Sequence, residues 1–238
     1  PPSPPLLLTT SDGQITESAL IANGEGGWPQ TIADFENFGG AVATIGDMNN
    51  DGVSDMVIGS NGAPGGGQTA RGKIYIARLS RGPVAVTTVS EIGGSTLPLT
   101  SFDYFGSGIA SPADLDGDSE PDADIDGDNT TDLVVGARGT EGEAGPRAGA
   151  AYILFLTTKA GSGVEPTMWN EYVRISNQTS TGPLEISMPL DAEAQFGRSV
   201  AVLGDTDRDL VSTLAVGAPG EANDAGGVHI LSVQLRRQ

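Results

Sequence analysis

Aspartate clusters three times in this chain, at a spacing that suits the wrapping of a hard cation. Side-chain oxygens at the first, third, fifth and ninth positions of a loop, with a backbone carbonyl at the seventh, can enclose one ion. Residues 47–55 offer Asp47, Asn49, Asp51 and Asp55, with the Val53 carbonyl as the fifth ligand. Gly52, at the sixth position, permits the sharp turn such a loop needs. Calcium, which takes about six to eight oxygens, is the ion this chemistry favours. Magnesium keeps its waters and tolerates irregular cages poorly. Zinc is disfavoured because the chain has no cysteine and one histidine. The loop is not an EF-hand: its twelfth position is Ile58, and its flanks read as strands.

The second cluster is doubled. Asp114, Asp116, Asp118 and Asp122 fit the spacing, and so do Asp124, Asp126, Asp128 and Asp132. Two adjacent ions, or one ion with the spare carboxylates solvated, both satisfy this pattern. The third cluster is degraded. It keeps Asp205, Asp207 and Asp209, but its ninth position is Thr213, its sixth is Leu210, and Arg208 adds a positive charge. The expectation is two to four calcium ions in all, with the third loop binding weakly or not at all. Together the loops hold fifteen of the chain's 31 acidic residues. Solvated acidic turns are the alternative explanation, and the third loop fits that alternative best.

The elements around these loops repeat. Phe38 precedes Asp47 by nine positions, as Phe105 precedes Asp114 and Phe196 precedes Asp205. Phe38 to Gly59 is 21 positions, as is Phe196 to Gly217. Phe105 to Gly136 is 31, so the second unit carries ten extra residues inside its Asp-rich loop. Downstream, RGKIYIA, AGAAYIL and AGGVHIL take equivalent places as short strands after a glycine turn. Upstream, QITES, TTVSEI and YVRIS read as strands. Each unit therefore reads strand, metal loop, strand, glycine-rich turn, strand, loop, strand. No segment reads as a convincing helix. Four short strands in a unit of roughly 60 residues point to propeller blades.

These residues resemble FG-GAP repeats, the blades of integrin alpha-subunit propellers and of many secreted proteins. The resemblance rests on Phe38-Gly39, Phe105-Gly106 and Phe196-Gly197, each followed by the Asp loop and then by VIGS, VVGA or VGAP. It implies an all-β chain of three blades, each a four-stranded antiparallel sheet, forming a partial ring or part of a larger or oligomeric propeller. It also implies calcium in the loops and an extracellular adhesive or scaffold role. Repeats of about 38–93, 105–176 and 196–238 follow a Pro-rich linker at 1–12, with 13–22 as a strand completing a blade.

Composition bounds the rest. The net charge of −19 disfavours nucleic acid, whose phosphates it would repel, and equally an anionic membrane surface. No segment is long and apolar enough to read as a transmembrane helix. Thirty-five glycines and fifteen prolines suit many tight turns between strands. His229 falls at the strand position of Tyr75 and Tyr152, so it reads as a packing residue. No Ser-His-Asp trio can be assembled. Gly65-Gly66-Gly67 lacks the Lys-Ser of a phosphate loop. Paired carboxylates leave glycosidase chemistry formally open, but their repeated spacing is better explained by metal ligation. Sequons stand at Asn129 and Asn177, the latter in a connection expected to be exposed. The reading is a non-enzymatic, calcium-binding extracellular module with a protein or glycan partner. The alternative is an assembly subunit joined through open blade edges.

Overall fold

The structure is a computed structural model. It describes residues 18–49, 51–64, 69–81, 84–94, 96–111, 125, 130–143, 145–157, 167–178, 185–204 and 212–233. Three sheets follow one another along the chain. Blade 1 is β1 (Phe38–Gly46), β2 (Asp55–Ser60), β3 (Lys73–Leu79) and β4 (Val86–Gly93), antiparallel in chain order. Blade 2 is β5 (Phe105–Ala110), β6 (Leu133–Ala137), β7 (Ala150–Thr157), β8 (Thr167–Ser176) and β9 (Glu185–Ser187). Blade 3 is β10 (Ser199–Gly204), β11 (Ser212–Ala218) and β12 (Gly227–Val233). The chain is all-β in propeller-type blades, as the repeats predict, and the described residues close no barrel.

The register is the same in every blade. Ile58 faces Tyr75, Val135 faces Tyr152, and Val216 faces His229. Each of these three rings meets the Phe of its own blade edge to face. Phe38–Tyr75 centroids lie 5.8 Å apart, Phe105–Tyr152 5.4 Å and Phe196–His229 5.3 Å. His229 thus packs where the sequence places it. Aromatic pairs in this geometry add about 0.5–1.5 kcal/mol beyond their buried area.

Two blades differ from the four-strand expectation: blade 3 has three strands among the described residues, and blade 2 has five. β9 adds to blade 2 a fifth strand, parallel to β8. Residues 94–104 carry the chain from β4 to β5, whereas 177–198 separate β8 from β10. The longer connection has the slack to run back along the free edge of β8. The only helical element among the described residues is α1 (Glu221–Asp224), and Ala222 and Asn223 there have φ of 53° and 57°. It is a left-handed turn rather than a helix. Of the segment 13–22, residues 13–17 lie outside the described residues, as does the linker at 1–12.

Blades stack face to face through two cores. Between blades 1 and 2 lie Val57, Ile74, Ile76, Phe105, Ile109, Val135 and Leu154. Between blades 2 and 3 lie Ala151, Ile153, Val173, Phe196, Leu214 and Val216. The outer face of blade 1 is partly covered by Trp28, which packs on Phe38 and Tyr75. Beyond that cover, apolar side chains of the described residues are exposed at both ends of the stack. Val42 on β1 is 62% exposed, while its counterpart Ile109 on β5 is buried. Val228 and Ile230 on β12 are 68% and 60% exposed, while Ala151 and Ile153, at the matching positions of β7, are fully buried.

Backbone hydrogen bonds staple neighbouring blades. Phe105 N donates to Arg71 O (2.9 Å), Tyr104 N to Ala70 O (3.1 Å) and Phe102 N to Thr69 O (2.9 Å). Phe196, Gln195 and Glu193 repeat this onto Ala148, Arg147 and Pro146. The residues three before and one before each Phe have left-handed backbone, in blade 1 as well as in the two stapled blades. Phe35, Asn37, Phe102, Tyr104, Glu193 and Gln195 all have φ between 53° and 68°. The motif glycines sit where blades touch. A Cβ on Gly59 would meet the Gly106 carbonyl oxygen, and one on Gly136 would meet that of Gly197.

Candidate metal centre

The first Asp loop connects β1 to β2. A register shift at Gly46, where φ is 76°, turns the chain out of β1 and into the loop. Inside, side-chain oxygens organise the backbone as Asx turns do. Asp51 N donates to Asp47 Oδ1 (3.0 Å) and to Asn49 Oδ1 (3.1 Å), so these two oxygens are neighbours. Gly52 N donates to Asp47 Oδ2 (2.5 Å), and Val53 N to Asp51 Oδ1 (2.8 Å). Asn49 Nδ2 donates to Asp51 Oδ2 (3.0 Å). Gly52 has φ of 80°, and a Cβ there would strike the Arg81 guanidinium. Arg81 Nε donates to Asp51 O (2.9 Å), tying the loop to the end of β3.

Asp55 also anchors the backbone. It is buried at the start of β2, and both its oxygens take backbone amides. Met48 N donates to Oδ2 (3.2 Å) and Leu79 N to Oδ1 (3.1 Å). Burial pushes its carboxyl above the usual 3.8, and the nearby Asp51 charge adds to this; the two amides and Arg78 offset part of the rise. Asp132 repeats the arrangement in blade 2. Ile125 N donates to its Oδ2 (2.8 Å) and Leu156 N to its Oδ1 (3.2 Å). The chain separations are seven and 24 residues in both blades. Met48 and Ile125 are both buried. Asp132 therefore stands in blade 2 where Asp55 stands in blade 1.

This clamp was not visible from spacing alone. The available signal was that the ninth position opens an apolar run, in DMVIG and DLVVG, and so belongs to the strand as much as to the loop. Asp114, Asp116, Asp118, Asp122, Asp124, Asp126 and Asp128 lie outside the described residues, as do Asp205, Asp207 and Asp209. The third blade has Thr213, buried, where the other two carry the clamp aspartate.

The first loop fits a hard cation by donor type. Asp47, Asn49, Asp51 and the Val53 carbonyl are all oxygen donors gathered on one glycine turn. Among the described residues, no three acidic or histidine side chains converge into one cluster. The set rests on two carboxylates, one amide oxygen and a carbonyl, with Asp55 holding the backbone behind them. At the second sequon, Asn177 is half-buried rather than exposed, and its Nδ2 donates to Leu190 O (2.7 Å). Among the described residues no helix is long and apolar enough to cross a membrane.

No family model matches the chain. Integrin alpha subunits do match it in sequence. Integrin alpha pat-2 of Caenorhabditis elegans is 33% identical over 117 residues, which is 49% of this chain and 9% of that protein. Integrin alpha-5 of Xenopus laevis is 30% identical over 110 residues, 46% of this chain and 9% of that protein. Integrin alpha-V of Gallus gallus is 27% identical over 168 residues, 67% of this chain and 15% of that protein. The chain thus spans about a tenth of the length of the first two relatives. Similarity to integrin alpha subunits over about half of the chain, and three blades whose first three strands pair antiparallel, agree with an FG-GAP, integrin-alpha-like propeller region.

Proposed function

We propose that this chain is a calcium-stabilised, extracellular propeller module that presents a rigid surface to a protein partner at the cell surface or matrix. The observation that carries it is the clamp shared by blades 1 and 2, in which the aspartate that ends the Asp-rich sequence accepts two backbone amides seven and 24 residues away. Asp47, Asn49, Asp51 and the Val53 carbonyl would hold one ion. Asp124, Asp126 and Asp128 would take the same places in the second loop. A bound calcium supplies positive charge to carboxylates that otherwise repel one another. The similarity to integrin alpha subunits supports an adhesive rather than a catalytic role.

Extracellular calcium modules bind at roughly 10⁻⁴–10⁻³ M, so each site adds about 0.4–1.4 kcal/mol at about 1 mM calcium. Two sites then raise the unfolding midpoint by about 2–10 °C in a chain of this size. Thermal unfolding in excess EDTA, in millimolar calcium and in millimolar magnesium measures this. A calcium-specific rise is expected. No rise, with no calcium retained after dialysis, overturns the reading.

A second reading, an assembly subunit, is favoured by the exposed Val42, Val228 and Ile230 on the two end faces. Light scattering across concentration tests it, and a strict monomer throughout counts against it.

A further inference from the structure

The inner strands of all three blades begin at their Phe-Gly corners, the opposite end from the first metal loop. There a cavity of about 610 Å³ is lined by Asn37 and Asn61 from blade 1, Ser107 and Arg138 from blade 2, and Arg198 from blade 3. Among the described residues, no carboxylate lines it. This is unusual in a chain with 31 acidic and 12 basic residues. Among the described residues, neither Arg138 nor Arg198 has a carboxylate partner. The Arg138 guanidinium lies over the Tyr104 ring at 4.2 Å, and its Nε is buried without a hydrogen-bond acceptor. Burial, followed by the neighbouring Arg198 charge, lowers its affinity for its own proton. Two cations are thus held near each other, one of them partly desolvated.

The fold does not require arginine at either place. Arg138 stands where the other repeats have Asn61 and Pro219, and Arg198 stands where they have Gly40 and Ser107. Ser107 Oγ lies 3.1 Å from Gly136 O and 3.0 Å from Gly197 O, and it accepts the Arg138 amide at 3.4 Å. One hydroxyl therefore fixes the two backbone corners that carry the arginines.

We propose that this cavity is an anion site that takes a carboxylate group, held by Arg138 and Arg198. Guanidinium forks match the planar carboxylate in a paired geometry. The chain's net charge of −19 repels ligands in proportion to their own charge, so a monoanion is favoured over a dianion such as sulfate. The carboxylate comes either from a free small acid or from an acidic side chain of a peptide.

The test is an NMR titration of the full chain at constant ionic strength, following the Nε–H signals of Arg138 and Arg198. The probes are sodium acetate, the capped tripeptide acetyl-Gly-Glu-Gly-amide and sodium sulfate. Saturable shifts of both signals by a carboxylate probe are expected, weakened at least about tenfold in Arg198→Gln. Tighter binding of acetate identifies a free acid as the source, and tighter binding of the peptide identifies a side chain. Arg198 is exposed, so its replacement leaves the fold intact, which circular dichroism checks. Shifts that never saturate, sulfate binding as tight as carboxylate, or Arg198→Gln binding like the unaltered chain would each overturn the proposal.

Discussion

Replacing Asp132 with alanine separates a structural clamp from a metal ligand. The carboxylate accepts two amides, from Ile125 and Leu156, and Asp132 is fully buried. Alanine strands both N–H groups in a space closed to water. Each unsatisfied buried donor costs about 1–3 kcal/mol, so the loss is about 2–6 kcal/mol. That is a large share of the roughly 5–15 kcal/mol that holds a typical domain together. With a urea slope near 2 kcal/mol/M, the unfolding midpoint falls by about 1–3 M. Asp132→Asn keeps one acceptor oxygen and loses about half as much. The assay is urea unfolding followed by circular dichroism, run in EDTA and again in calcium. A clamp loses its stability in both solutions. A loss below about 1 kcal/mol in EDTA, with a larger one only in calcium, would refute the clamp and make Asp132 a metal ligand alone.

Two further outcomes follow from the packing and the charge. Gly136→Ala drives a Cβ into the Gly197 backbone and is expected to cost about 1–3 kcal/mol, lowering the midpoint by several degrees; Gly39→Ala, which has open space around it but φ of 81°, carries only the left-handed strain of about 1–2 kcal/mol and serves as comparison. Asp103 is buried, and burial raises its carboxyl above the usual 3.8 despite the Thr100 hydrogen bonds and Arg174. The folded state therefore holds this proton more tightly than the unfolded chain does. Its contribution to stability is present at low pH and lost as pH rises through the raised value. Asp103→Asn is expected to flatten that part of the stability–pH curve, and an unchanged slope in pH-dependent urea unfolding counts against the assignment.

The blades were legible because their repeat is written at several levels at once. Phe, Asp loop, glycine and Tyr or His keep one register, and only a shared sheet explains that. What spacing could not convey was set by distant backbone. The hydrogen bonds from Phe102 and Tyr104 to Thr69 and Ala70 on the preceding blade join segments some 33 residues apart, which no local pattern reports. β9 depends on where a long connection finds free amides. Asp55 and Asp132 matched the ligand spacing, yet the amides of Leu79 and Leu156, 24 residues away, claim an oxygen from each. Arg138 and Arg198 lie 60 positions apart in the chain and meet only because three blades converge.

The bare ends of the stack set a rule for anyone who would cut or build with this unit. Each blade shields its neighbour's apolar face, so the energetics resemble those of a linear array, in which terminal units need caps to stay dispersed. Trp28 acts as half a cap at one end, seated on Phe38 and Tyr75. Val228 and Ile230 at the other end have no such cover among the described residues. A soluble minimal version would keep residues 18–35 in place and recolour β12 with polar side chains at those two positions. Adding blades would instead begin there, since β12 already displays the surface on which a next sheet would sit.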